Sequence, residues 1–116
     1  MNYLAPTIQP GVVIGDEVSA VYKHARTHQY ALPAVNVVST SSINATLEAA
    51  QKMKSPVIIQ LSNGGAQFFC GKGLSLPDQQ AAVLGAVSAA NYVHSVAAHY
   101  GVAVMLHTDH AAKKLL

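Results

Sequence analysis

Four consecutive residues near the carboxyl end of the sequence, His107-Thr108-Asp109-His110, form its densest cluster of chemistry-bearing side chains. Imidazole and carboxylate are common zinc ligands. A carboxyl group whose surroundings raise its pKa is also a capable proton donor. Side chains alternate along an extended segment, so His107 and Asp109 point to one side and His110 to the other, unless a turn after Asp109 swings His110 over the strand end. A plainer reading makes His107 a hydrogen-bonded core histidine and Asp109 the N-cap of a following helix. A catalytic zinc takes three protein ligands. The motif alone supplies no complete set, and both readings stand.

A second candidate is Ser62-Asn63-Gly64-Gly65. Its glycines let backbone amides approach an anion closely, but it has neither the Gly-Lys-Ser/Thr ending of a Walker loop nor a dinucleotide fingerprint. The plain alternative is a flexible turn without a ligand. Asn36, Gln60 and Ser62 are polar residues at the ends of apolar runs. Lys72, Lys113 and Lys114 can attract phosphate, although exposed lysines are ordinarily solvated surface. His24 and His28 read as surface residues, and His94 and His99 as helix residues without a ligand role. Cys70 has neither a CxxC partner nor an activating base, which makes a poor nucleophile.

The elements that must position these groups alternate. Val18, Val21, Tyr22 and Ala25 mark one face of a helix beginning near Asp16, with Gly15 before it and two acidic residues in its first turn. Ala31–Val38 reads as a buried strand, and the serines that follow, 39 to 42, cap a second helix bearing Ile43, Leu47 and Ala50. Ser55-Pro56 stops that helix. Val57–Leu61 is the next strand, Ser62–Leu76 a glycine-rich loop, and Pro77-Asp78 opens a long helix with Val83, Val87, Ala90, His94 and Ala97 near one face. Gly101 ends it, and Val102–Leu106 is a third strand. Alternation of this kind predicts α/β architecture with parallel strands joined by right-handed crossovers. Sites in such folds lie at the carboxyl ends of the strands, where Asn36, Gln60, Ser62, Asp109 and His110 all fall. Pattern alone does not separate an open doubly wound sheet from a barrel.

Bulk composition narrows the function classes. The 116 residues are 51% hydrophobic and 10% charged, with a formal charge of +2. That is far from the disordered class, and the low charge suits a chain packed on two sides or a piece of something larger. Basic residues are scattered without an aromatic-interleaved stripe, which argues against a nucleic-acid partner. The stretch Ala81–Ala98 is interrupted by Ser88, Asn91, His94 and Ser95 and is read as no membrane span. The single cysteine and an opening, Met1–Gly11, without a signal-peptide pattern place the protein in the cytoplasm.

Taken in order, residues 31–36, 56–65, 71–73, 99–102, 106–110 and 113–116 resemble class II fructose-bisphosphate aldolase, over nearly the whole chain. The segment from Thr108 to Leu116 resembles the longer subgroup and sets the chain apart from tagatose-bisphosphate aldolases; Ala111 stands where relatives often carry cysteine. The resemblance implies that these residues are the first three β/α units of a (β/α)8 barrel, with the 116 residues forming the amino-terminal part of one such domain, left incomplete. It implies zinc-dependent, reversible cleavage of fructose 1,6-bisphosphate to dihydroxyacetone phosphate and glyceraldehyde 3-phosphate. By the same resemblance, His110 is a zinc ligand and Asp109 the proton donor, exchanging a proton with the C4 oxygen as the C3–C4 bond breaks or forms. Ser62 contacts the phosphorylated sugar, Asn36 and Gln60 hold its hydroxyls, and His107 orients the site. The other zinc ligands and the base belong beyond Leu116, so this polypeptide alone is expected to be inactive, and the full-length protein a homodimer. The competing expectation is a small non-catalytic α/β module that binds an anion or a partner.

Overall fold

Apolar runs too short for helices and bounded by turn residues become strands here, and their partners are set by the helices between them. The computed structural model describes residues 8–112. Four strands form one parallel sheet: β1 (Gly11–Val12), β2 (Ala34–Asn36), β3 (Val57–Leu61) and β4 (Ala103–Thr108), in the order β1-β4-β3-β2. The helices are α1 (Asp16–Thr27), α2 (Thr40–Met53), α3 (Asn63–Phe69) and α4 (Gln80–Val96), the last followed by a 3₁₀ turn at Ala97–Tyr100. Strands β2, β3 and β4 succeed one another in the chain and in space, always stepping the same way. Strand β1 lies beyond β4, at the edge opposite β2, so the chain first crosses the sheet and then steps back strand by strand.

Period-two alternation divides the strand residues between two cores. Val57, Ile59, Leu61, Val102 and Val104 face α2, α3 and α4, meeting Ile43, Leu47, Ala66, Ala89 and Val93. On the other face Ile58, Ala103 and Met105 pack with Val13, just after β1, and Val21 of α1. Burial from both sides explains why the strands are apolar without interruption.

Helix α2 is closed at its start by a capping box: Ser39 Oγ accepts from Ser42 N at 3.1 Å, and Ser39 N donates to Ser42 Oγ at 3.0 Å. It ends at Met53, just before Ser55-Pro56. Four details depart from the sequence reading. Strand β1 adds to the three expected, because a two-residue ladder with the start of β4 is too short to show a period. Strand β2 is shorter than 31–38: Pro33 lacks an N–H, though its carbonyl still accepts from Ile58 N at 2.9 Å. Helix α4 opens at Gln80 rather than at Pro77-Asp78, where Asp78 takes a left-handed φ of 54°. Its buried side is Ala82, Gly85, Ala89 and Val93, while Val83 and Val87 face outward.

The fourth departure bears on the site. The expected loop after Ser62 begins instead with α3. Two glycines there cost helix propensity of about 1 kcal/mol each, which hides the helix from the sequence. Three packing facts outweigh that cost. Ala66 is buried, Gly65 lies against the Val37 carbonyl, and α3 crosses α4 so closely that a Cβ on Gly85 would stand 1.6 Å from the Ala66 oxygen. The stretch Gln80–Tyr100 has the length of a membrane span and a mean hydropathy of 1.3, yet one side of it belongs to the main core.

Candidate functional site

Parallel strands in register bring residues distant in sequence into a single row. Asn36 stands beside Gln60, and Gln60 beside His107. Asp109, two residues on from His107, falls on the same face, and its N–H extends the ladder by donating to the Leu61 carbonyl at 2.8 Å. The predicted convergence at the carboxyl ends of the strands is therefore present, and it is a bonded one. Gln60 Nε2 donates to Asn36 Oδ1 at 2.9 Å, and Asn36 Nδ2 donates to Asp109 Oδ2 at 3.1 Å. The other Asp109 oxygen accepts from the His110 backbone N–H at 2.8 Å.

These donors decide the charge state of Asp109. The His110 N–H and then the Asn36 amide lower its pKa, and the smaller opposing effect of burial does not cancel them. The group is held as a carboxylate. The exchange of a proton with the C4 oxygen that the resemblance implies for Asp109 passes through both its ionised and its protonated forms.

His110 takes the other side of the backbone. Its side chain is 99% exposed, with Nε2 3.8 Å from Asp109 Oδ1. Among the described residues no group of three or more His, Cys, Asp or Glu side chains is placed to hold a metal ion. Imidazole and carboxylate suit zinc in donor type, and the described residues fall short of a group of three.

Ser62 caps α3. Its Oγ accepts from Gly65 N at 3.0 Å, which leaves the hydroxyl proton available to a ligand. Of the two glycines, Gly64 has open space beside it and Gly65 does not. Ser62, Asn63, Asp109 and His110 border a cleft of about 380 Å³ whose apolar wall includes Leu61, Ala66, Val83 and Leu106. Asn36 and Gln60 lie on the opposite face of the sheet, with Asp109 at the rim common to both.

One site contact had no signal in the sequence reading. The Tyr22 hydroxyl of α1 lies 3.4 Å from His107 Nε2, although spacing had marked Tyr22 only as part of the helix's apolar face. His24 and His28 are not isolated surface residues. Their rings stack with centroids 4.1 Å apart, and His24 Nδ1 meets the Tyr30 hydroxyl at 2.9 Å. Burial first and His28 second lower the His24 pKa. Cys70 Sγ contacts Ser88 Oγ at 3.4 Å, with no base beside it among its hydrogen-bond partners. Lys72 is exposed, and Lys113 and Lys114 lie outside the described residues.

Comparison with known proteins places this geometry. The family model described as fructose-bisphosphate aldolase class-II matches residues 16–115. The fructose-bisphosphate aldolase of Edwardsiella ictaluri is 54% identical over 116 residues, covering 100% of this chain and 32% of that protein. The class 2 fructose-bisphosphate aldolase of Escherichia coli K12 is 56% identical, covering 100% of this chain and 33% of its own length. A crystal structure of the Campylobacter jejuni fructose-bisphosphate aldolase superposes with a TM-score of 0.85 at 56% identity, over 93% of this chain and 30% of that one. The chain thus spans about a third of the length of the relatives it matches.

Proposed function

This chain belongs to the family of class II fructose-bisphosphate aldolases, and we propose that an intact protein carrying it, of its relatives' length, catalyses zinc-dependent reversible cleavage of fructose 1,6-bisphosphate into dihydroxyacetone phosphate and glyceraldehyde 3-phosphate. The observation that carries this reading is the bonded row of Gln60, Asn36 and Asp109 at the carboxyl ends of β2, β3 and β4, with the His110 imidazole 3.8 Å from the Asp109 carboxyl.

In the cleavage direction Asp109 takes the proton from the C4 hydroxyl. The C4 oxygen becomes the aldehyde carbonyl, and the electron pair of the C3–C4 bond remains with the ketone half. In condensation Asp109 returns that proton to the C4 oxygen, a transfer worth about 10²–10⁴ in rate. A carboxylate at rest suits the first direction. The Ser62 hydroxyl and the open backbone at Gly64 receive a phosphate, while the remaining Asn36 N–H and Gln60 Oε1 meet sugar hydroxyls. His110 supplies one imidazole to zinc, which when bound offers Lewis-acid polarisation of the ketone oxygen. The residues form the amino-terminal part of a single barrel domain, and the protein is a cytoplasmic homodimer.

Three ligands hold a catalytic zinc and the described residues bring no such group of three together, so the 116-residue polypeptide by itself is inactive. The test uses the intact protein, with zinc counted per chain and cleavage of fructose 1,6-bisphosphate followed. His110→Ala abolishes both stoichiometric zinc and turnover. A variant that retains both sinks the proposal.

A further inference from the structure

We propose that His24 and His28, at the carboxyl end of α1, form a two-imidazole binding site for a borderline divalent cation of the Cu²⁺, Ni²⁺ and Zn²⁺ class. The inference goes beyond the aldolase reading and uses none of its residues.

Residues four apart lie one above the other on a helix face. The His24 and His28 rings do so, stacked with centroids 4.1 Å apart and planes 23° from parallel. Burial first and His28 second lower the His24 pKa, which keeps its ring in the neutral form that has a lone pair to give. Each ring is also held by its Nδ1. A carbonyl only accepts, so the 2.9 Å contact of His28 Nδ1 with the His24 carbonyl puts the His28 proton on Nδ1 and leaves Nε2 bare. His24 Nδ1 meets the Tyr30 hydroxyl at 2.9 Å. A hydroxyl accepts as well as it donates, and with the His24 proton on Nδ1 its Nε2 is bare too. Metal-ligating histidines almost always donate their other ring N–H to an oxygen in this way, and both rings have that oxygen in place.

The surroundings suit a cation. Two metal–nitrogen bonds of about 2.0–2.1 Å need the nitrogens roughly 3 Å apart, a span that two rings stacked at 4.1 Å reach by tilting their Nε2 edges together. His24 lies in the last turn of α1 and His28 is its C-cap, where the helix dipole is negative. Lys23 and Arg26 stand one and two positions from His24, spacings that do not share its face. Imidazole selects copper, nickel and zinc over magnesium and calcium. The described residues hold no group of three ligands, so two imidazoles and water hold the cation reversibly.

The test titrates Cu²⁺, the divalent ion such nitrogens hold most tightly, into the intact protein carrying His110→Ala, which keeps the imidazole of the aldolase reading out of the measurement. Cu²⁺ is paramagnetic and broadens the NMR signals of the rings it touches. The His24 and His28 signals broaden together at Cu²⁺ levels that leave the exposed His94 and His99 sharp. His24→Gln and His28→Gln each weaken binding there about tenfold or more, because the second imidazole of a chelate acts at high effective concentration. Zn²⁺ shifts the same two sets of signals at higher concentration. Parallel broadening of all four histidines overturns the proposal. So does a loss of only about twofold in either variant, which is what two independent rings would give.

Discussion

Alanine at position 85 would force α3 and α4 apart. Its Cβ would sit 1.6 Å from the Ala66 oxygen, 2.6 Å from the Ala66 carbonyl carbon and 3.2 Å from its Cα. Carbon and carbonyl oxygen rest at about 3.3 Å or more, so the helices must separate by roughly 1.7 Å where they cross. All three obstructing atoms belong to the backbone, so no rotamer change relieves them. Overpacking of this kind costs about 1–3 kcal/mol and sometimes more. The displaced element is α3, whose N-cap is Ser62, so the shift is delivered to the site as well. A misplacement of about 1 Å can cost on the order of 10² in rate. Gly64→Ala, on the same helix, is the control: nothing lies within 4 Å of its added Cβ. It should leave stability unchanged or raise it by up to about 1 kcal/mol. The assay is denaturant unfolding of the intact protein with each substitution, together with kcat/KM. A Gly85→Ala protein as stable as wild type would refute the close crossing of α3 and α4 and the account of why α3 exists.

Three further outcomes follow from the same contacts. The Asp109 carboxyl titrates below its ordinary value, so its contribution to stability is present above the unfolded-state pKa and is lost as pH falls through the lower folded-state value; ¹³C NMR of the carboxyl should show Asn36→Ala raising the midpoint only partway, because the His110 N–H is the larger cause. Ile59 is fully buried in the main core, and Ile59→Ala should cost about 2–5 kcal/mol in denaturant unfolding, a loss below about 1 kcal/mol being inconsistent with that packing. Ser39→Ala removes one half of the capping box of α2 and should cost about 0.5–2 kcal/mol, visible as a lowered unfolding midpoint with an unchanged slope.

The strands and the site were legible in the sequence for one reason: both follow from short-range pattern. Val57–Leu61 and Val102–Leu106 are apolar runs of strand length, and burial from both sides leaves them no polar interruption until the strand ends. Gln60 and Asp109 were conspicuous because they break that rule at its edge. What escaped depends on packing between segments distant in the chain. Helix α3 holds two glycines in seven residues, and only its fit against Gly85 and Val37 makes it a helix. The outward face of α4 was misassigned because alanines on every side give a weak period, and the buried stripe is decided by which alanines meet α3 and the sheet. The Tyr22–His107 contact joins residues 85 positions apart, beyond the reach of any local pattern.

The low pKa of Asp109 has the same origin. Sequence spacing shows an acid at a strand end but not the donors that meet it. One donor is local, the next residue's own N–H, and comes with the turn after β4. The other arrives from β2 only because β3 lies between the two strands in the right register. A slip of one residue between β2 and β3 would put Asn36 on the helix side of the sheet, leaving Asp109 with its backbone donor alone and Gln60 without a partner. The environment of Asp109 is therefore set first by the turn within its own motif and second by three strands in register.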